Sequence, residues 1–137
     1  MAKGRPRRLL IDGMNVIGSR PDRWWNDPDR AIRRLIDQLD DFVAATGDHV
    51  SVVFDRRPRD LHEGRHGQVT VAFAHRRGRN AADHEIVDMV DDDEDPRSIT
   101  VVTSDERLIE RVRELGAGVT SAGAFRRRLD GTVPPAR

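Results

Sequence analysis

Three short apolar runs in this sequence each close on an aspartate. Leu9-Leu10-Ile11 leads into Asp12, Val52-Val53-Phe54 into Asp55, and Val101-Val102-Thr103-Ser104 into Asp105. A fourth acid, Asp83, opens a helical pattern and shares a face with Ile86, Val87 and Val90. Taken singly, each has a plain structural reading: Asp12 capping a loop, Asp55 starting a turn, Asp105 favouring a helix dipole from its first turn. Brought together, they would repel, and some would take up protons unless cations neutralised them. Hard divalent ions suit oxygen donors; magnesium binds through one or two carboxylates, keeps several waters and often sits against phosphates. Two such ions about 3.5–4 Å apart can hold both oxygens of an in-line phosphoryl displacement. The chemistry implied is phosphodiester hydrolysis by metal-activated water, with Asp12, Asp55, Asp83 and Asp105 as metal ligands. Asn15 and Ser104 are candidate partners that orient a carboxylate or a water. Thr103 is another, although Thr103 and Glu106 also have the spacing of a helix capping box.

Whether these acids meet depends on the elements that carry them. Leu9–Ile11, Val50–Phe54 and Ile99–Val102 read as buried strands, and Val69–Phe73 as a further one. Asp27-Pro28 has the form of an N-cap followed by proline at the first helical position. Ile32, Leu35, Ile36, Leu39, Phe42 and Val43 follow at helical spacing, and Gly47 lies where a helix stops. A second helix is expected from Asn80 to the acidic run Asp91–Asp95, and a third through Leu108, Ile109, Val112 and Leu115 to Gly116. Val119 suggests a short strand and Ala122–Leu129 a last helix. Alternating strands and helices in one small domain predict a mostly parallel sheet covered on both faces. In such sheets ligands bind beyond the carboxyl ends of the strands, where the strand order reverses, and Asp12, Asp55 and Asp105 stand at those ends. A right-handed crossover starts the second helix, with Asp83, at the same edge.

The chain of 137 residues has the length of one domain, is 35% charged and has a formal net charge of zero. That charge is unevenly spread. Arg56, Arg57, Arg59, Arg65, Arg76, Arg77 and Arg79 face only Asp60 and Glu63 in their stretch, whereas Asp83–Asp95 is acidic apart from His84. This fits a polyanion partner beside a separate acidic locus, although a GC-rich genome, which favours arginine, would leave the same trace. Arg56, Arg57, Arg76, Arg77 and Arg79 are candidate phosphate contacts, and Trp24, beside Trp25, is a candidate stacking surface for an unpaired base. His62, His66 and His75 match no standard metal-ligand spacing. With no cysteine, disulfides, thiolate zinc sites and cysteine nucleophiles are excluded. No apolar run suits a membrane span or a secretory signal, so a cytoplasmic location is expected.

The segments Ile11-Asp12-Gly13-Met14-Asn15-Val16-Ile17, Val52-Val53-Phe54-Asp55, Asn80-Ala81-Ala82-Asp83 and Val102-Thr103-Ser104-Asp105 together resemble the YacP-like NYN domains of the PIN-like nuclease superfamily. The resemblance implies a three-layer α/β/α sandwich with a mostly parallel sheet of about five strands. It also implies a magnesium- or manganese-dependent ribonuclease, commonly an endonuclease, in which Asp12, Asp55, Asp83 and Asp105 bind one or two ions and Asn15 is their polar neighbour. RNA is the implied partner, presented by the ribosome or free, and a homodimer is compatible with the family. Arg56 replaces a common glycine and His84 a common acid, so each puts a basic group beside a ligand. The expected layout is a basic segment at 1–8, the nuclease-like domain at 9–130 and a tail at 131–137. Two other readings stand beside this one: a non-catalytic RNA- or ribosome-binding module on the same scaffold, and a small-molecule phosphohydrolase, which lacks the Asp-x-Asp motif here.

Overall fold

The computed structural model describes residues 6–75, 78 and 80–132. Its centre is β1 (Arg8–Asp12), flanked in parallel by β2 (His49–Phe54) and β5 (Ile99–Val102). Outward from β2 lie β4 (Val69–Phe73), parallel, and β3 (Gly64–His66), antiparallel; outward from β5 lies β6 (Gly118–Thr120). The sheet therefore has six strands in the order β3-β4-β2-β1-β5-β6, not about five. The additional strand, β3, forms a hairpin with β4 in which His66 pairs Val69 across Gly67-Gln68. Gly67 takes φ 61°, the left-handed backbone that a two-residue hairpin turn requires. That turn also brings the Gly67 backbone against Asp40, whose carboxylate accepts the Gln68 N–H at 2.8 Å.

Both faces of the central strands are apolar because both are covered. Leu9 and Ile11 pack on one side with Val50, Val52, Phe54, Val69, Val71 and Phe73, under α1 (Gly13–Gly18), α2 (Pro28–Thr46) and α5 (Ala122–Asp130). Leu10, Val53 and Val101 point the other way, under α3 (Ala81–Asp91) and α4 (Glu106–Glu114). The period of two along each strand thus divides one run of valines, leucines and isoleucines between two cores. None of the described helices is long and apolar enough to cross a membrane.

Helix ends follow their sequence signals in part. Asp27 caps α2 by accepting the Arg30 N–H at 3.2 Å, Pro28 starts it, and Gly47 ends it at φ 75°. Asn80 sits before α3 without a side-chain cap. The acidic segment after α3 is more than a solvated helix end: Arg8 at the start of β1 grips Asp93 and reaches Ser98 at 2.6 Å. Arg8 holds the Asp93 carboxyl down to about 2. This locus lies at the opposite end of β1 from Asp12, so the acidic tail is kept away from the strand-end acids.

The chain direction reverses around β1. It moves outward through β2 and β4, then returns across β1 by α3 to β5 and β6. After β1 the chain leaves toward the α2 face, and after β5 toward the α4 face. The gap between the carboxyl ends of β1 and β5 is the topological switch point where ligands bind in such sheets.

Candidate active site

Asp12 ends β1 inside that gap and is only 5% exposed. Its Oδ2 accepts the Thr103 hydroxyl at 2.9 Å, a bond that spans the space between β1 and β5. Thr103 is itself fully buried, and its Oγ1 accepts the Asp105 N–H at 3.1 Å. One hydroxyl therefore links two of the acids. The Thr103–Glu106 capping box does not form, because Asp105 is the residue that caps α4. Its Oδ1 accepts the N–H groups of Arg107 at 2.9 Å and Leu108 at 3.2 Å. The local dipole and the cap hold this carboxylate in place.

Asn15, one turn into α1, crosses the same gap: its Oδ1 accepts the Ser104 N–H at 2.8 Å, while its own backbone N–H helps to hold Asp12. The Ser104 hydroxyl turns outward to accept the Ala122 N–H at 2.9 Å, anchoring the start of α5. Asn15, Thr103 and Ser104 thus stitch β1, β5, α1, α4 and α5 into one frame around Asp12.

The other two acids join electrostatically. Burial pushes the Asp12 carboxyl up to about 7; the Thr103 bond opposes this, while the nearby charges of Asp83 and Asp105 reinforce it. Asp83, half-buried in the first turn of α3, is also raised, chiefly by burial and then by Asp105, with Asp55 adding to it and Arg111 and His84 opposing. Partial burial raises Asp55 too, against its own backbone N–H and Arg56. Asp83 is therefore the member that feels all the others, and Asp55 is the outlying one. Among the described residues, no three aspartate, glutamate or histidine side chains are arranged so that all could hold a single ion. The donors are hard oxygens that repel one another. They suit a hydrated divalent cation taken by one or two carboxylates, not a closed cage.

The proposed RNA contacts divide. Arg56 pairs with Asp29 of α2 at 3.0 Å, an exposed ion pair without an aligned hydrogen bond. Arg57 is used locally, donating to Leu61 O at 2.9 Å with its guanidinium over the Phe73 ring. Arg76, Arg77 and Arg79 lie outside the described residues. Of the two tryptophans, Trp24 is partly buried against the core, and Trp25, 59% exposed, is the more open one. The candidate stacking residue Trp24 is thus partly buried, with the more exposed Trp25 ring against it. Sequence reasoning missed Arg111, a cation facing Asp83 from α4; only the packing of α4 on α3 brings it there. It also missed α1, whose signal was the buried pair Val16-Ile17 directly after Asp12-Gly13.

The Thr103 linkage has a testable consequence. Thr103→Val keeps the shape but strands Asp12 Oδ2 and the Asp105 N–H in a buried site, which should cost about 1–3 kcal/mol. The Asp12 midpoint, followed by carboxyl NMR, should rise above its starting value near 7 and return with Thr103→Ser. An unchanged midpoint would mean that the hydroxyl does not hold the acid.

The family model for the YacP-like NYN domain matches residues 9–134. No curated protein matches the chain. The crystal structure of Rae1 (YacP) from Bacillus subtilis, as a W164L mutant, superimposes with a TM-score of 0.73 at 28% identity, covering 92% of this chain and 76% of that one. A second crystal structure of Rae1 (YacP) from the same organism gives a TM-score of 0.72 at 27% identity, covering 90% and 74%. With the motif segments, the sheet and nearly the whole length in agreement, the chain belongs to the YacP-like NYN domain family, a nuclease-type family.

Proposed function

We propose that this protein is a magnesium- or manganese-dependent ribonuclease, an endonuclease that hydrolyses RNA at the gap between β1 and β5. The observation that carries this reading is the placement of Asp12 and Asp105 on either side of the β1–β5 gap, linked by the Thr103 hydroxyl, with the charge of Asp83 close enough to act on Asp12. Such a cluster is costly without a cation and useful with one. Asp12 and Asp105 are the best-fixed ligands, since Thr103, Asn15 and the α4 terminus hold them. Asp83 and Asp55 add negative charge from the α3 and β2 sides of the same edge. A divalent ion held there supplies an activated water and positive charge beside the scissile phosphate. The chain's own part is to fix the carboxylates, exclude water from Asp12 and place the Arg111 cation beside Asp83.

The test is cleavage of an internally placed phosphodiester in single-stranded RNA by purified protein, with magnesium, manganese or chelator. Asp105→Asn is the informative variant. Asparagine caps helices about as well as aspartate, so α4 stays capped while the charge goes. Metal-stimulated cleavage that falls at least about 100-fold in this variant supports the reading; cleavage untouched by it points to a contaminant. RNA binding without cleavage under either metal would favour the non-catalytic module, the reading that the lack of a three-ligand cage among the described residues keeps in view.

A further inference from the structure

Beyond the acid cluster, the α2 side of the same edge carries a groove of about 470 Å³ that no step above uses. Arg23, Arg30 and Arg34 line it with Trp24, against Asp22 and Asp27. Asp27 is already committed to the α2 cap. Arg30 and Arg34 are one helical turn apart on α2, so both guanidinium groups serve one side of the groove. Arg23, at its entrance, is the one non-glycine described residue with positive φ, 56°. That conformation costs energy for a residue with a side chain and occurs where surrounding structure enforces it. Toward α5 the basic surface continues: Arg20 and Arg126 contact Asp130, and Arg34 also lowers its pKa, so one carboxylate is shared by three arginines.

Trp25 adds an independent signal. It is the one large hydrophobic side chain among the described residues that stands exposed. Its ring and that of Trp24 form a T-shaped pair, with centroids 6.1 Å apart and planes at 82°. Trp24, partly buried against the core, lines the groove, and the exposed Trp25 ring rests against it at the groove's rim. A cationic groove with an aromatic platform is the combination that binds unpaired nucleic acid, phosphates on the arginines and a base on the ring. The helix that walls the groove is also tied to the end of the strand that leads into Asp55. Asp55 is followed by Arg56, which pairs with Asp29, and Asp29 is followed by Arg30. Arg56 thus ties the residue after Asp55 to the first turn of the helix that carries Arg30 and Arg34.

We infer that Arg23, Arg30, Arg34 and Trp25 form a binding subsite for the unpaired RNA strand next to the cleavage point. This deepens the ribonuclease reading and rests on it for the RNA's identity, but binding can be measured without cleavage. The probe is a fluorescein-labelled oligouridylate of about twelve nucleotides, titrated with the full chain in chelator across a salt series. RNA should quench tryptophan emission in the wild type. Trp25→Ala should weaken binding roughly tenfold or more with the salt slope unchanged, and Trp25→Phe should restore most of it. Arg30→Ala with Arg34→Ala should weaken binding and flatten the slope of log affinity against log salt by about 1.4, two phosphates' worth for a single strand. Circular dichroism and melting confirm that each variant is folded.

Wild-type protein that fails to bind the oligonucleotide at low salt would overturn the subsite, as would equal affinity and slope in all variants. Self-association abolished by Trp25→Ala, seen by sedimentation, would also overturn it, by assigning the ring to a second copy of the chain. Binding that follows the predicted pattern, with no cleavage under magnesium or manganese, would keep the subsite and remove the nuclease reading instead.

Discussion

Asp12→Asn is expected to abolish metal-stimulated RNA cleavage and, at the same time, to remove a pH-dependent weakness of the fold. The loss of activity follows from position. Asp12 is the acid at the centre of the switch point, fixed by Thr103 and Asn15 and flanked by Asp83 and Asp105. If its charge contributes about 4 kcal/mol to holding the ion and the reacting phosphate, cleavage should fall by about a thousandfold. A residual rate within tenfold of wild type would exclude Asp12 from the chemistry.

The effect on stability has a definite sign. The Asp12 carboxyl titrates near 7 in the folded chain, from an ordinary value of 3.8, mainly because burial disfavours its charge. A raised carboxyl means that the folded state holds its proton longer than the unfolded state. Its contribution is fully present below about pH 4 and is lost progressively as pH rises through about 7. A shift of about three units corresponds to at most about 4 kcal/mol. Asp83 and Asp55 are raised in the same sense. Asp93 and Asp130, lowered by their arginines, act oppositely: their contributions are present above the ordinary carboxylate range and fade in acid. Urea unfolding in chelator should therefore show wild-type protein weaker at pH 8 than at pH 5. Asp12→Asn should flatten most of that decline, and manganese should reduce it in the wild type by compensating the charge. A decline equally steep in the asparagine variant would place the responsible group elsewhere. The acid proposed to hold the ion would then also be the one that weakens the fold at alkaline pH, a common trade between stability and activity.

The acids were legible in the sequence because a parallel sheet turns strand ends into neighbours. Once Leu9–Ile11, Val50–Phe54 and Ile99–Val102 read as strands, Asp12, Asp55 and Asp105 had to share an edge. What holds them was less legible. Thr103 fits a capping box by spacing, but Asp105 is two residues closer to the first free N–H groups of α4 and takes the cap. The displaced hydroxyl is then free to bridge Asp12 and Asp105, a tertiary outcome that local spacing cannot encode. β3 escaped notice because Gly64-Arg65-His66 has no apolar side chain to declare a strand; its only signal was the glycine turn at Gly67. The two tryptophans show the same limit. Both read as loop residues, and only the packing of the turn against the core decides which ring is partly covered and which is exposed.

Gly13→Ala should damage fold and activity together. Gly13 follows Asp12 directly, as the chain turns from β1 into α1. A Cβ there would lie 2.3 Å from Phe54 Cε1 and 3.0 Å from the Val53 carbonyl oxygen. Phe54 is fully buried, with Phe73 beside it at a centroid distance of 6.1 Å, so its ring has nowhere simple to go. Overpacking of this kind costs about 1–3 kcal/mol. The alternative to moving the ring is moving α1, and α1 carries Asn15. A small displacement would draw the Asn15 N–H from Asp12 and its Oδ1 from the Ser104 N–H. Activity should therefore fall further than the stability loss explains when cleavage is measured well below the melting temperature. The double variant Gly13→Ala with Phe54→Leu discriminates between the causes. Leucine lacks the ring atoms that the new methyl meets, so the pair should recover part of both stability and cleavage relative to Gly13→Ala alone, a coupling that independent sites would not show. Recovery of stability without cleavage would mean that α1 has not returned to its place beside Asp12. No loss on Gly13→Ala alone would mean that the chain after β1 does not approach Phe54 this closely, and that Asp12 is fixed from the Thr103 side alone.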